Sequence, residues 1–502
     1  MLVDDLDEWA MNKCGQDGGR LFIARQTRDV QSDGKCFCWT ESAMKVLDND
    51  QWVEQNFGTC ELGDKRRTKR LVKVAVNMLA APEKSIPQQN VEWSDVKAAY
   101  RFFSNGNSTF DRIAEPHWKQ TRQTKRGRYL LISDTTDVDH FSHWATTGLG
   151  ILGDGRGRGM QLHNCMMYDC NEKQIRGAAG ALMYYRKHKP KKETRMQRLA
   201  RVRESDVWGK LVDQVGEAPE GSQWIHVFDR GGDNFEAICH IKLMKNDWVI
   251  RASKLQRNVF TEDGRKVKLN EAILESRTLG SYELNLRSRP GVAARTAKIE
   301  LSTVRVTFPL PSQYSKWVKA CGITELTMNV VIVEEVNAPK GVTPIRWVLL
   351  TSLPVETFDD AWQVVEDYEN RWLVEEYHKV MKSACSLEMH ALRAAERLEP
   401  LIALISVIGV RLFQLKLVGR SQPKAKAVTH VPAGWLKCLT LARPKISITG
   451  MTVYEFFREL AKLGGFLARK GDGEPGWQTI WRGFQKLQSI LDALKLIRPN
   501  PT

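Results

Sequence analysis

The 502-residue sequence is poor in the features that mark secreted proteins and zinc-binding modules. Its ten cysteines form no Cys-x-x-Cys pair. The only close pair, Cys36-x-Cys38, has no second pair with which to complete a tetrahedral zinc site. The first eight residues contain four acids, whereas a secretory signal begins with cations. These patterns predict reduced thiols and a cytoplasmic location.

The sequence also has no internal repeats, and its longest apolar stretch, 400–413, is interrupted by Ser406, Gly409 and Arg411. Because no apolar run reaches the length of a membrane span, we expect this stretch to be a buried helix. The net charge of +16 and the isoelectric point near 9.3 predict a polyanionic partner. Nucleic acid is favoured over a membrane surface.

The most informative segment is 367–382, which contains no Gly or Pro and predicts a helix. At roughly 100° per residue, a sector of roughly 80° holds several polar side chains. They are Tyr368, Arg371, Glu375, Lys379 and Lys382. One carboxylate among cations suits a divalent-metal ligand beside groups that hold phosphates. The alternative is a solvated helix face with a Glu375–Lys379 pair.

Two further acids follow apolar runs that predict buried strands. The run 128–133 ends at Asp134, and the run 224–228 ends at Asp229. Since α/β sheets bind ligands at the carboxyl ends of their strands, we expect these aspartates to lie together, with Glu375 supplied by a packed helix. Three adjacent carboxylates repel one another unless cations neutralise them. A pair of Mg²⁺ ions would do so and would assist phosphoryl transfer on DNA.

Alternatives remain open for these acids. Strand-end acids also form turns and helix caps. Rival candidates beside the chosen pair are Asp137, Asp139 and Asp233. Glu376, roughly 100° round the helix from Glu375, is the less favoured ligand. A DNA-binding protein that does not cut would need no acid triad, and a glycosidase would not need the surrounding cations.

Charge and periodicity divide the rest of the chain into segments. Residues 44–118 are helical and basic, with Asp64 predicted to cap a cationic helix, and they suit a small DNA-binding bundle. Residues 252–356 follow a period of two and predict an antiparallel insertion with a Pro290-Gly291 turn. The basic stretch 186–203 is either a solvated loop or a contact for phosphates.

The signature Tyr368-x2-Arg371-x3-Glu375-x6-Lys382 resembles that of the bacterial DDE transposases of the insertion-sequence-four family. From about residue 44 onward the chain is also similar to the transposon-five branch of that family. Further matching segments are 62–72, 99–102, 134–136, 229–230, 339–344, 347–352 and 463–466. The signature, combined with two strand-end aspartates in the right order, makes the resemblance specific.

The resemblance implies an α/β fold with an RNase H-like catalytic core, an antiparallel β-rich insertion, and flanking helical N- and C-terminal domains. The expected segments are a poorly placed N-terminal extension 1–43, a DNA-end-binding domain 44–118, a first core part 119–251, the insertion 252–356, a second core part 357–416 with the Glu375 helix, and a dimerisation region 417–502.

The resemblance also implies roles for single residues. Asp134, Asp229 and Glu375 would be the catalytic metal ligands. Trp347 would stack on a flipped base, although a Trp in an apolar strand is ordinarily a core residue. The other expected DNA contacts are Tyr368, Arg371, Lys379, Lys382, Arg66, Arg67, Arg70, Arg101, Arg230, Arg251 and Lys254.

These roles imply cut-and-paste transposition. The expected cofactor is Mg²⁺, as a pair of ions in each active site, with Mn²⁺ as a substitute. The inverted-repeat ends would be cleaved through a DNA hairpin, and the 3′-OH would be joined to target DNA. The implied partners are transposon-end DNA, target DNA and a second copy of the chain in a synaptic homodimer, without a membrane. The implied location is the bacterial cytoplasm, at the nucleoid.

Overall fold

The computed structural model describes residues 48–188, 192–194, 197, 203–286, 293–421, 423–469 and 472–497. They fold into two compact units. Within the described residues, the large unit comprises 48–248, 311–323 and 369–497, and the small unit comprises 249–310 and 324–368. The predicted extension 1–43, the Pro290-Gly291 turn and much of the basic stretch 186–203 lie outside the described residues.

Helices form the first part of the large unit. They are α1 Asn49–Phe57, α2 Lys65–Ala80, α3 Ile86–Gln89, α4 Trp93–Phe103 and α5 Phe110–Arg122. As predicted, Asp64 caps α2, because its Oδ1 accepts the N–H of Arg66 at 2.8 Å. Apolar residues of α2 recur at helical spacing and are buried, among them Leu71, Val74 and Met78. Most cations of α2 are therefore left on the surface.

A sheet with a helical crossover forms the centre of the large unit. Its strands are β1 Gly127–Asp139, β2 Gly150–Leu152, β3 Gly157–Asp169, β4 Gln174–Tyr184 and β5 Ser222–Phe228. β3 pairs antiparallel with β1, β2 and β4, whereas β1 and β5 are parallel. The crossover into β5 carries helix α6 (Asp206–Val215). Helix α7 (Phe235–Leu243) follows β5. This is the predicted RNase H-like core.

The small unit is an antiparallel sheet, as the period of two predicted. Its elements are β6 Asp247–Arg251, β7 Asn258–Thr261, β8 Lys266–Lys268, α8 Leu269–Leu274, β9 Arg277–Leu286, β10 Arg295–Pro309, β11 Glu325–Val336 and β12 Arg346–Thr351. The order is β6–β12–β11–β10–β7–β8, and β9 also pairs with β10. The start of β6 and the segment 311–323, which carries α9 Lys316–Cys321, belong to the large unit.

The prediction of one continuous helix over 367–382 is wrong. Two helices stand there, α10 Phe358–Glu369 and α11 Trp372–Ala384. Asn370 and Arg371 form the turn between them, and the boundary between the units falls after Tyr368. Tyr368 therefore belongs to a different helix from Glu375, whereas Arg371 in the turn still pairs with Glu375 four residues later.

A long apolar helix, α12 Ala395–Ser421, runs through the large unit. Its residues 395–417 are long and apolar enough to cross a membrane, contrary to the expectation that no stretch reaches that length. However, 94% of its most apolar window is buried inside the fold, so α12 is a core helix, as predicted for 400–413. It is followed by α13 Ala427–His430, α14 Ala433–Ala442, α15 Val453–Leu463 and α16 Trp477–Ile497.

A buried histidine joins the N-terminal helices to the sheet. His117 lies in α5, and its Nδ1 is 2.7 Å from Asn56 Oδ1 in α1. Its Nε2 accepts the N–H of Ala178 in β4 at 3.1 Å. Nε2 therefore carries no proton, and Nδ1 donates to Asn56. Burial lowers the pKa of His117 to about 4, which keeps the ring neutral at physiological pH.

His117→Leu is expected to destabilise the large unit by roughly 2 kcal/mol, since it leaves a buried acceptor and a buried donor without their partner. Because the folded-state pKa lies below the ordinary value of 6.5, the unfolded chain binds the proton first as pH falls. Wild type should therefore lose stability between pH 6.5 and about 4, and His117→Leu less steeply. Urea unfolding at several pH values measures both effects. If His117→Leu kept the stability and the pH slope of wild type, this role would be contradicted. The control is His188→Leu, a substitution at an exposed position.

Candidate active site

The parallel pairing of β1 and β5 places two aspartates side by side. The last paired residues of the two strands are Ile132 and Val227. Asp134 and Asp229 each stand two positions further along, at the same level of the sheet. The N–H of Thr135 donates to Asp134 Oδ1 at 2.7 Å. Asp229 Oδ1 accepts the N–H of Gly231 at 2.8 Å and so caps a short 3₁₀ turn.

Helix α11 carries Glu375 toward the aspartates and is fixed to the sheet by a histidine. His378 lies one turn after Glu375, and its Nε2 accepts a hydrogen bond from Asn164 Nδ2 at 3.1 Å. Asn164 in β3 is paired directly with Asp134 in β1. Burial, with smaller contributions from Lys382 and His163, lowers the pKa of His378 to about 3. A neutral, buried side chain thus sets the position of the helix.

Arg371 lies between two of the acids. Its Nη1 is 2.6 Å from Glu375 Oε1 and 3.3 Å from Asp134 Oδ2, and its side chain is only 6% exposed. Burial and the nearby Asp229 raise the pKa of Asp134 to about 7; Arg371 opposes this shift and Glu375 adds to it. All three predicted acids therefore act on one another, and one buried cation partly balances them.

The donor set suits a hard divalent cation, because all three side chains offer carboxylate oxygens and their negative charge is incompletely balanced. Nevertheless, in the part of the chain that the structure describes, no three His, Cys, Asp or Glu side chains already surround a common point. Arg371 occupies the space between Asp134 and Glu375. Shared ligation by these acids therefore requires the guanidinium to move aside.

Three of the rival acids, Asp137, Asp139 and Glu376, have structural partners. Asp137 accepts a hydrogen bond from Gln161 at 2.8 Å. Asp139 accepts the N–H of Phe141 at 2.8 Å. Glu376 forms an ion pair of 2.9 Å with Lys416. The ion pair with Lys416 gives Glu376 a structural role, and its side chain lies roughly 100° round the helix from that of Glu375.

The predicted N-terminal contacts lie on α2 and α4. Arg66 is 91% exposed and pairs with Asp64, whereas Arg70 pairs with Asp95 at 2.7 Å. Arg67 Nη1 donates to the carbonyl of Leu62 at 2.7 Å. The remaining residue, Arg101, is exposed. Surface ion pairs contribute little to stability, so Arg66 can exchange its partner for a phosphate at small cost.

The other predicted DNA contacts are divided between the units. In the large unit, Lys379 is exposed, Lys382 pairs with Glu388 at 3.1 Å, and Arg230 follows Asp229 in the 3₁₀ turn. In the small unit, Trp347 is half-buried and packs edge-on against Tyr368 with ring centres 5.2 Å apart. Tyr368 and Arg251 are each 4% exposed, whereas Lys254 is exposed. Tyr368 therefore braces the Trp347 ring.

Sequence reasoning missed His378 and Asn164. The sequence does contain a signal for His378, because this residue follows Glu375 by three positions and so lies on the same helix face. Asn164 could not be found this way, because only the pairing of β3 with β1 places it opposite Asp134.

Two family models match the chain. The first, described as transposase DNA-binding, matches residues 49–107, the segment that carries the N-terminal arginines. Together with the RNase H-like core, this match defines a DNA transposase. The second, described as the transposase Tn5 dimerisation domain, matches residues 407–500. The chain thus carries the DNA-binding and dimerisation segments of a Tn5-like transposase, which support DNA as a partner and a homodimer.

Proposed function

We propose that this transposase, a DDE enzyme of the insertion-sequence-four family, cuts the inverted-repeat ends of its element and joins them to target DNA. The observation that carries the proposal is the cluster of Asp134, Asp229 and Glu375, in which Arg371 contacts Asp134 and Glu375 and Asp229 raises the pKa of Asp134. A protein that only bound DNA would gain nothing from half-buried acids that raise the pKa of Asp134. The protein would act in the bacterial cytoplasm, at the nucleoid.

Asp134, Asp229 and Glu375 are the residues that would hold the proposed Mg²⁺ ions, with Mn²⁺ as a substitute. When bound, the ions supply activation of the attacking oxygen and neutralisation of charge on the leaving oxygen. Arg371, Lys379 and Lys382 would bind DNA phosphates beside the cut. Arg66, Arg67, Arg70 and Arg101 would hold the transposon end.

The proposed reaction is a series of in-line displacements at phosphorus. Water first breaks one strand at the transposon end and leaves a 3′-OH. That hydroxyl then attacks the opposite strand, so that one phosphodiester bond forms as another breaks and a hairpin results. Water reopens the hairpin, and the regenerated 3′-OH attacks target DNA. A synaptic dimer would hold both ends for these steps.

Trp347→Ala is expected to slow hairpin formation about tenfold, with first-strand nicking changed by about twofold or less, because base stacking contributes only where a base leaves the duplex. Gel analysis of end-labelled duplex separates nick, hairpin and open end. Equal slowing of both steps would argue against base stacking. Trp362→Ala, which removes another half-buried Trp of the small unit, is the matched control.

The deciding experiment incubates the full-length protein with the inverted-repeat ends of its own element, with and without Mg²⁺. Metal-dependent nicks at the ends, followed by hairpins and joined products, are the expected result. Binding without any cleavage in Mg²⁺ or Mn²⁺ would show that the protein binds DNA without cutting it, and would overturn the proposal.

A further inference from the structure

One buried tryptophan packs behind both strand-end aspartates. Trp208 lies in α6, the helix of the crossover into β5, and is only 6% exposed. Its ring centre is 4.4 Å from that of His163 in β3 and 4.7 Å from that of Phe228 in β5. Both of these neighbours are buried. A single indole therefore contacts the strand that ends at one aspartate and the strand that pairs with the other.

On the β5 side, the indole meets the short 3₁₀ turn that Asp229 caps. Phe228 directly precedes Asp229, whose Oδ1 accepts the N–H of Gly231 at 2.8 Å. A Cβ at position 231 would lie 3.1 Å from Trp208 Cζ2 and 3.0 Å from Asp229 Oδ1. Both distances are shorter than an optimal van der Waals contact. The indole thus fills the space beside this turn, and the turn holds the Asp229 carboxylate.

On the β3 side, His163 connects the indole to Asp134. His163 is paired with Thr135 between the antiparallel strands β3 and β1, and its Nδ1 is 2.8 Å from Thr135 Oγ1. The N–H of Thr135 donates to Asp134 Oδ1 at 2.7 Å. Burial lowers the pKa of His163 to about 3, so the ring is neutral at physiological pH. It supports Asp134 without adding charge to the acid cluster.

The two aspartates need such support because their charges repel one another. Asp229 contributes to the raised pKa of Asp134, and mobile side chains would relieve this repulsion by moving apart. Close packing of α6 on α7 keeps the indole in place, since a Cβ at Gly209 would lie 2.3 Å from His240 Cδ2. Trp208, the residue before Gly209, therefore cannot withdraw from the aspartates without moving the helix.

We propose that Trp208 is a positioning residue for the two aspartates. It fixes Asp229 through the 3₁₀ turn and Asp134 through His163, so that both carboxylates can bind a divalent cation. This inference rests on the proposed function for the choice of ligand. It gives Trp208 no contact with DNA or with the reacting phosphate. Loss of the ring should therefore weaken cation binding beyond what loss of stability explains.

Mn²⁺ binding tests the proposal without any cleavage. The full-length protein is titrated with Mn²⁺, and the free ion is followed by its EPR signal. Trp208→Leu should raise the Kd about tenfold, the scale for residues that orient metal ligands, whereas Trp208→Phe should raise it by about threefold or less because a ring is retained. A Kd unchanged from wild type in Trp208→Leu would overturn the proposal.

Trp118→Leu is the matched control for a loss of stability. Trp118 is 1% exposed and packs against Phe110 among the N-terminal helices, with ring centres 5.9 Å apart. This variant should unfold at a lower temperature in EDTA, as Trp208→Leu should, but it should bind Mn²⁺ as wild type does. An equal rise of the Kd in both variants would show a general effect of core damage and would overturn the proposal.

Gly231→Ala supplies a test that leaves the core intact, because position 231 is exposed. The added methyl must displace the indole or the Asp229 carboxylate, so the Kd should rise about threefold. Combined with Trp208→Phe, it should raise the Kd by less than the product of the two single effects, since the smaller ring leaves room for the methyl. Fully independent effects would exclude action through this turn and overturn the proposal.

Cleavage assays separate this inference from the proposed function. Trp208→Leu should need more Mg²⁺ for half-maximal cleavage, and saturating Mg²⁺ should restore most of the wild-type rate. If wild type cuts its ends and Trp208→Leu shows the same Mg²⁺ dependence, the inference fails while the proposed function stands. If wild type never cuts but the Mn²⁺ affinities change as expected, the proposed function fails while the positioning role stands.

Discussion

Glu375→Gln is expected to lower Mg²⁺-dependent end cleavage on the order of a thousandfold, the scale seen when a preorganised charged group is lost from an active site. Glutamine keeps the size of the side chain and can still accept a hydrogen bond from Arg371, so the fold should be retained. Binding of the transposon end should be unchanged or tighter, because one negative charge near the DNA is removed. Cleavage of labelled end duplex and a parallel binding titration separate the two effects.

Glu376→Gln is the matched control, because it makes the same change one residue further along α11. Glu376 pairs with Lys416, whose side chain is 9% exposed, so this variant should lose about 1–2 kcal/mol of stability. Cleavage should remain within about threefold of wild type. A comparable loss of cleavage in both variants would show that the helix, rather than the Glu375 carboxylate, is what matters.

Asp134→Asn is expected to stabilise the metal-free protein while it abolishes cleavage. The pKa of Asp134 is raised to about 7, above its ordinary value of 3.8, by burial and by Asp229. Keeping this group ionised in the folded state therefore costs free energy at neutral pH, roughly 4 kcal/mol. Thermal unfolding in EDTA should show the variant melting above wild type at pH 7.5.

The sign of the pH dependence distinguishes this explanation from a general effect of substitution. A raised folded-state pKa means that stability from this group is fully present below pH 3.8 and is lost as pH rises toward about 7. The advantage of Asp134→Asn over wild type should therefore grow between pH 4 and 7. Saturating Mg²⁺ should narrow this advantage, since at a hundredfold excess over Kd it stabilises the protein that binds it by about 2.7 kcal/mol. Equal responses of both proteins to Mg²⁺ would exclude Asp134 as a ligand.

The core strands could be predicted because their apolar runs are short and end at acids. β1 and β5 were found in this way, and with them the neighbouring positions of Asp134 and Asp229. β4 was not predicted, since 174–184 is rich in Ala and Gly, which strands disfavour. Its Gly177 is needed for close packing, because a Cβ there would lie 2.2 Å from Thr121 Oγ1 in α5.

The break between α10 and α11 could not be predicted from local preference. Neither Gly nor Pro marks it, and the residues on both sides favour a helix. At the break, Arg371 contacts Asp134, which is 237 positions away in the sequence. A contact of that range overrides local propensity. Tyr368 and Glu375 have the sequence spacing of residues on one face of a helix, but the break places them on two different helices.

If metal and DNA phosphate bind here as proposed, the position of Arg371 makes the two binding events interdependent. Its guanidinium serves as an internal counterion for Asp134 and Glu375, so an external cation must compete with it for both acids. A backbone phosphate that attracts the guanidinium removes this competitor and raises the affinity for the cation. By thermodynamic reciprocity the cation must raise the affinity for the phosphate by the same factor. A site arranged in this way would keep Asp134 and Glu375 partly balanced while DNA is absent and would become more receptive to metal when the proposed substrate arrives.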